Sequence, residues 1–274
     1  MTDLGLAPAD LIVPAETPLG VRDHGRHPRL DEGGWSGDLL LVPGARGTAD
    51  EWDAAAALLR GLGYRPVVVE PRGHGRSGAG EWTWPAVLAD LETVAGALGL
   101  ERPAVVGRGL GGVIAALWAA AHPECPLAVS IDGYGNPVRP EQLASLPDAD
   151  RAAGIAQFSA FLAASLHDVP ETLSQALRAV EGLDVLALYR GVRAPTAVLL
   201  SEESDLADLL PTELGLVWLA YLDWVGRALT AQPRIEVVRI PGSNDAYLSN
   251  PEQLAGTLAG LLPAPASADG RSAP

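Results

Sequence analysis

Val105-Val106-Gly107-Arg108-Gly109-Leu110-Gly111-Gly112 is the stretch on which the reading of the fold turns. Ala104–Val106 is short and apolar, the composition of a strand covered on both faces. Glycines at 107, 109, 111 and 112 follow, and then an apolar run of helical length, Leu110–Ala121. Glycine at the bend tolerates positive φ, and the flanking glycines permit a tight turn from strand into helix. The stretch therefore reads as strand, sharp turn, helix.

Outward from it, short apolar runs alternate with longer helical patterns, the signature of repeated βα units and a mostly parallel sheet. Strands are expected near Leu11–Val13, Leu19–Asp23, Asp38–Val42, Arg65–Glu70, Ala104–Val106, Leu127–Ile131, Thr196–Leu200 and Ile235–Ile240. Helices are expected near Glu51–Arg60, Pro85–Leu98, Leu110–Ala121, Val217–Ala231 and Pro251–Leu261. The first two strands are linked tightly enough for a hairpin, so the sheet should begin antiparallel. Residues 136–190 break the alternation: Ile155, Phe158, Phe161, Leu162 and Leu166 have helical spacing, with proline interruptions and no strand pattern. This predicts a core over 1–135 and 191–262, a helical cap inserted over 136–190, and a flexible tail over 263–274 rich in Pro, Ala, Ser and Gly.

The chain has 274 residues, enough for one large α/β domain. Its 19 basic residues are all arginine. Without a lysine amine, Schiff-base and pyridoxal-phosphate chemistry are excluded. A formal charge of −15 argues against nucleic acid and anionic membrane surfaces as partners. Cys125 is the only cysteine, so neither an internal disulfide nor a cysteine metal cluster can form. No apolar run is long enough to span a membrane and no signal stretch opens the sequence, which makes the cytoplasm the expected location.

Four segments, in order, carry a family resemblance. Leu39-Leu40-Leu41-Val42-Pro43-Gly44-Ala45-Arg46-Gly47 is a strand and glycine loop. Glu70-Pro71-Arg72-Gly73-His74-Gly75-Arg76-Ser77 is a second loop, Gly107–Gly112 the sharp turn, and Ile240-Pro241-Gly242-Ser243-Asn244-Asp245 a final one. Together they resemble the α/β-hydrolase superfamily from about Leu19 to Leu262. The resemblance implies an α/β-hydrolase fold: a mostly parallel central sheet flanked by helices, with a helical cap. It also implies an oxyanion hole from the backbone N–H groups of Ala45 and Leu110, and a nucleophile elbow at Gly107–Gly111.

The departures from the family are as informative. Gly109 stands where the family has its nucleophilic serine, Asp245 where it has the catalytic histidine, and Pro43 where a histidine is usual. The acid position falls on Ser204, with Asp205 and Asp132 as further candidates. A degenerate triad of this kind excludes ordinary serine-hydrolase chemistry. Of the remaining histidines, His24 and His27 precede the core, His74 belongs to a loop turn, and His122 ends a helix. His167 lies in the insertion, where it could overhang the cleft. None has the spacing of a metal site, and no cofactor is implied.

Gly107-x-Gly109-x-x-Gly112 after a strand, with Asp132 further on, also matches the dinucleotide-binding fingerprint. Its position mid-chain, flanked by the hydrolase-like loops, makes this the lesser reading. The stronger expectation is a non-hydrolytic enzyme, of a kind suited to secondary metabolism. It would use Asp245 as general acid or base and an oxyanion hole for cyclisation, elimination, C–C cleavage or isomerisation of an apolar, oxygenated small molecule. Arg108 would neutralise one of the acids or bind an anionic group. Tyr134, Phe158, Phe161, Leu162 and His167 would line the pocket. The alternative is a catalytically inactive pseudo-hydrolase that binds a small ligand or a protein partner; a homodimer is left open.

Overall fold

The computed structural model describes residues 7–26, 37–166 and 169–265. Eight strands build one sheet: β1 (Ala9–Val13), β2 (Leu19–Asp23), β3 (Asp38–Val42), β4 (Arg65–Val69), β5 (Ala104–Arg108), β6 (Ala128–Ile131), β7 (Thr196–Ser201) and β8 (Ile235–Ile240). Their spatial order is β1-β2-β4-β3-β5-β6-β7-β8. The pairs β1–β2 and β2–β4 are antiparallel, and every other pair is parallel. The hairpin start and the mostly parallel sheet are as the sequence predicts.

Strand β3 shows why its sequence is apolar throughout rather than alternating. Leu40 and Val42 pack into the core on one face of the sheet, with α2 (Trp84–Ala97) and α3 (Leu110–Ala121). Leu39 and Leu41 pack on the other, with α1 (Asp53–Gly61) and α10 (Pro251–Leu261). Side chains alternate across the sheet, so a strand covered on both faces must be apolar at every position.

The chain between β6 and β7 forms a 3-10 turn (Pro140–Leu143), α4 (Asp148–Ser165), α5 (Glu171–Glu181) and α6 (Val185–Arg190). Tyr189 ties α6 to the sheet, its hydroxyl 2.7 Å from Ser130 Oγ and 2.8 Å from the Gly133 carbonyl. A second helical segment between β7 and β8, α7 (Asp205–Leu209) and α8 (Thr212–Thr230), packs against α4. Phe158 stacks on Trp218 with centroids 5.6 Å apart, and the Tyr221 hydroxyl donates to the Tyr134 carbonyl at 2.5 Å. Two insertions therefore build one roof.

Three boundaries differ from expectation. The predicted helix at Glu51–Arg60 is a 3-10 turn, Ala49–Trp52, followed by α1. Helix α8 starts at Thr212 rather than Val217, because Pro211 and Glu213 suit a first turn that apolar periodicity does not reveal. The loop expected around Asp245 closes into a short helix, α9 (Asn244–Leu248). His27, His167 and residues 266–274 of the expected tail lie outside the described residues.

The Glu70–Ser77 loop follows β4 and clamps its neighbours. The Glu70 carboxylate accepts from the backbone N–H of Ala49 at 3.0 Å and of Arg76 at 2.9 Å. Arg72 forms a buried two-pronged pair with Asp90 of α2, at 2.7 and 2.8 Å. This locks the loop to a helix and fixes the end of the sheet on which the site stands.

Candidate functional site

The turn from β5 into α3 is held by glycines with different tasks. A Cβ on Gly107 would lie 2.1 Å from the Gly111 carbonyl oxygen, and one on Gly111 would lie 2.2 Å from that of Val42. Strand and helix backbones touch there, and no side chain fits. Gly109, at the apex, has φ 51° and ψ −111°, yet a Cβ on it would meet nothing within 4 Å. The apex thus keeps the backbone of a sharp elbow, at a positive φ that glycine adopts without strain, and faces open space. Its N–H donates to the Ile131 carbonyl at 2.7 Å and its carbonyl accepts from Val113 at 3.0 Å, which anchors the turn to β6 and to α3.

Arg108, beside the apex, joins the elbow to two other segments. Its guanidinium pairs with Asp245 at 2.5 Å and with Glu51 at 3.2 Å. Of its two expected roles, it takes up the first: it is committed to neighbouring acids. Glu51 also accepts the Gly44 N–H at 3.1 Å, so one carboxylate holds both the loop after β3 and the arginine. Burial pushes the Glu51 carboxyl above the usual range, and Arg108 draws it back in part. Asp245 sits in the first turn of α9 with its side chain 66% exposed, reaching back to Arg108.

The acid candidates converge on the same space. Asp132, 7% exposed and at φ 49°, follows β6; its carboxylate accepts from the Ser201 N–H at 3.0 Å and hydroxyl at 2.5 Å. Tyr134 lies next to it, its phenol held protonated far above the ordinary range by burial and by the Asp132 carboxylate. The Ser204 hydroxyl accepts from Trp218 Nε1 at 2.9 Å and caps α7, while Asp205 opens that helix, exposed.

Over the elbow lies an open cavity of about 460 Å³. Ala45, Arg108, Gly109 and Leu110 lie on its elbow side, and Asp132, Tyr134, Ser204, Asp205 and Asp245 also line it. Phe158, Phe161 and Leu162 do not line it, which corrects their expected place. Phe158 is buried against Trp218, and Phe161 and Leu162 are partly buried against the core. Phe158 and Leu162 instead border a separate cavity of about 360 Å³ beside Asn136 and Glu181. The true roof comes from Leu177 and Val180 of α5, and from Leu206, Leu209 and Trp218 of the second insertion. The second insertion was missed because its first helix is one short turn after a strand, too brief to show periodicity.

Two glycines of the dinucleotide-like pattern are accounted for by packing: a Cβ on Gly112 would meet Ser130 Oγ at 2.8 Å, as Gly107 is closed off by Gly111, while Gly109 answers to its positive φ. Asp132, the acid of that pattern, is turned to Ser201. Among the described residues no group of three or more histidine, cysteine, aspartate or glutamate side chains is placed to hold a metal ion, and no helix is long and apolar enough to cross a membrane.

Several solved structures of similar shape have hydrolytic names, and another is named a putative non-heme bromoperoxidase. A probable hydrolytic enzyme from Pseudomonas aeruginosa superposes with a TM-score of 0.65, at 18% identity over 95% of this chain and 96% of that one. A carboxylesterase study of the thaumarchaeon Nitrososphaera gargenis gives 0.64 at 18% identity, over 92% and 97%. The enol-lactonase from Burkholderia xenovorans gives 0.60 at 16%, over 89% and 96%. At such identity the likeness is one of fold. The sequence itself matches the family's profile over residues 39–257, which takes in the elbow, the loop after β3 and the Asp245 segment. The chain belongs to the alpha/beta hydrolase family.

Proposed function

We propose that this chain is a non-hydrolytic enzyme of the family, one that moves a proton on an apolar, oxygenated small molecule rather than attacking it with a nucleophile. The observation that carries the reading is the apex of the elbow. Gly109 offers no hydroxyl, and the space above it opens into the cavity beside Arg108 and Asp245.

In this reading a substrate carbonyl oxygen rests on the elbow side of the cavity, towards the backbone N–H groups of Ala45 and Leu110. Their dipoles, with the N-terminus of α3, favour the negative charge of an enolate as they would that of a tetrahedral adduct. The Asp245 carboxylate removes a proton from the carbon next to the carbonyl, and the electron pair moves into the enolate. Returning the proton at another carbon completes an isomerisation; expelling a leaving group completes an elimination. Arg108 orients the carboxylate and Glu51 orients Arg108.

Exchange in deuterium oxide tests this. With a panel of ketones, β-keto esters and enol lactones, deuterium should enter the carbon next to the carbonyl. Asp245→Asn should slow incorporation by roughly two to four orders of magnitude, the usual scale for a positioned acid/base group. Full exchange in that variant, or stoichiometric labelling of wild type by a fluorophosphonate, would overturn the proposal. NADH fluorescence should be unchanged by the protein.

One observation favours a second reading, a pseudo-hydrolase that only binds its ligand. Asp245 is largely exposed and already bonded to a guanidinium, an arrangement that stabilises a carboxylate without needing it to react. Tight binding with no deuterium incorporation for any bound compound would decide for it.

A further inference from the structure

The charge of the cavity narrows the class of ligand beyond the reading above, on which this inference rests. We infer that the ligand carries a positively charged amine on an apolar body. The side chains lining the cavity include three carboxylates, Asp132, Asp205 and Asp245, and one cation, Arg108. That cation is engaged by Asp245 and, from behind, by Glu51. A carboxylate or phosphate ligand would have to displace Asp245 from Arg108 and then sit beside the displaced aspartate. An ammonium group meets no such competition.

The carboxylates also differ in burial. Asp132 is buried and satisfied by Ser201, whereas Asp205 and Asp245 are exposed. The two exposed carboxylates are the ones a ligand entering from solvent can reach, Asp245 on Arg108 beside the elbow and Asp205 at the start of α7. The lining also includes Leu110, Val113, Val180 and Leu206, together with the rings of Tyr134 and Trp218. Leucine and valine suit an apolar body, and tyrosine and tryptophan are the side chains that best tolerate a cation nearby. A cleft lined by one sign of charge, in a chain of net charge −15, also concentrates ligands of the opposite sign. The lining is of two kinds: N–H donors at the elbow suit a carbonyl oxygen, and the Asp205 carboxylate, with Asp245 adding to the negative charge, suits an ammonium.

Three probes of one skeleton separate the possibilities: 4-phenylbutylamine, 4-phenylbutanol and 4-phenylbutyrate. Titration of the full chain, followed by amide NMR, reports affinity and also place, through shifts at Gly109, Leu110 and Gly135. The amine should bind at least about tenfold more tightly than the alcohol, and the carboxylate more weakly than either. In the variant carrying both Asp205→Asn and Asp245→Asn, the advantage of the amine over the alcohol should fall to about twofold or less. Raising salt should erode the amine's advantage in wild type only. Equal binding of amine and alcohol at these amides, a preference for the carboxylate, or an amine preference untouched by the double variant would overturn the inference while leaving the cavity as the site. Binding of none of the three at these amides would count against the inference and against the cavity together.

Discussion

At Gly109 two properties of one residue have opposite effects on a substitution. The backbone sits at positive φ, which costs a side-chain-bearing residue of order 1–3 kcal/mol, while the space above it is open. Gly109→Ser should therefore fold, with a lowered Tm, and should gain no esterase activity. A serine there would have no imidazole beside it, because Asp245 occupies that segment with its carboxylate bonded to Arg108. Turnover of p-nitrophenyl acetate above background in that variant would show the triad to be less degenerate than it reads. Gly111→Ala is the contrasting case. Its Cβ would be driven into the Val42 carbonyl, and the variant should be recovered unfolded or not at all, as judged by circular dichroism. Asp245→Asn, at an exposed ion pair, should change stability by no more than about 1 kcal/mol. These residues were legible in the sequence because the family's motifs are local: Gly107–Gly112 and Ile240–Asp245 each carry their geometry in a few consecutive positions. Glu51 was not. It lies in an unremarkable helical pattern, and only the fold brings it against Arg108 and Gly44.

Among the elements, strands were read to within two residues at their ends, since apolar runs covered on both faces stop where the sheet stops. Helices of the roof were read less well. Amphipathic spacing placed Phe158 on an inward face but could not say that its partner would be Trp218 of another insertion rather than a ligand. The join most open to test is between the Glu70–Ser77 loop and α2. Asp90→Ala would leave the Arg72 guanidinium buried without its carboxylate, although Arg72 would keep its bonds to the carbonyls of Glu81 and Ala86. Breaking a buried pair from one side costs about 3–5 kcal/mol. Thermal unfolding should show a Tm lower by on the order of 10 °C. A loss within the error of the measurement would mean that the two backbone bonds suffice.

For the whole molecule, acid stability is set in part by buried histidines. Burial lowers His24 and His74 below the ordinary 6.5, so the unfolded chain binds protons that the folded one refuses. Stability is then greatest above 6.5 and falls as pH drops from 6.5 through the lowered folded values. Tm should decrease between pH 7 and 5.5, and His24→Gln with His74→Gln should flatten that slope; a Tm that rises on acidification would contradict this account. Glu51, shifted upward, acts with the opposite sign and only as pH falls through the carboxylate range. The same Glu51 has a consequence for motion. Because one carboxylate grips both the Gly44 N–H and Arg108, the loop after β3 and the elbow after β5 form a single rigid seat, preorganised when the chain folds. An incoming molecule has little left to order there. The conformational entropy lost on binding falls instead on the exposed rim, on Asp205 and Leu209, so affinity should respond to stiffening the mouth of the cavity far more than to any change at its floor.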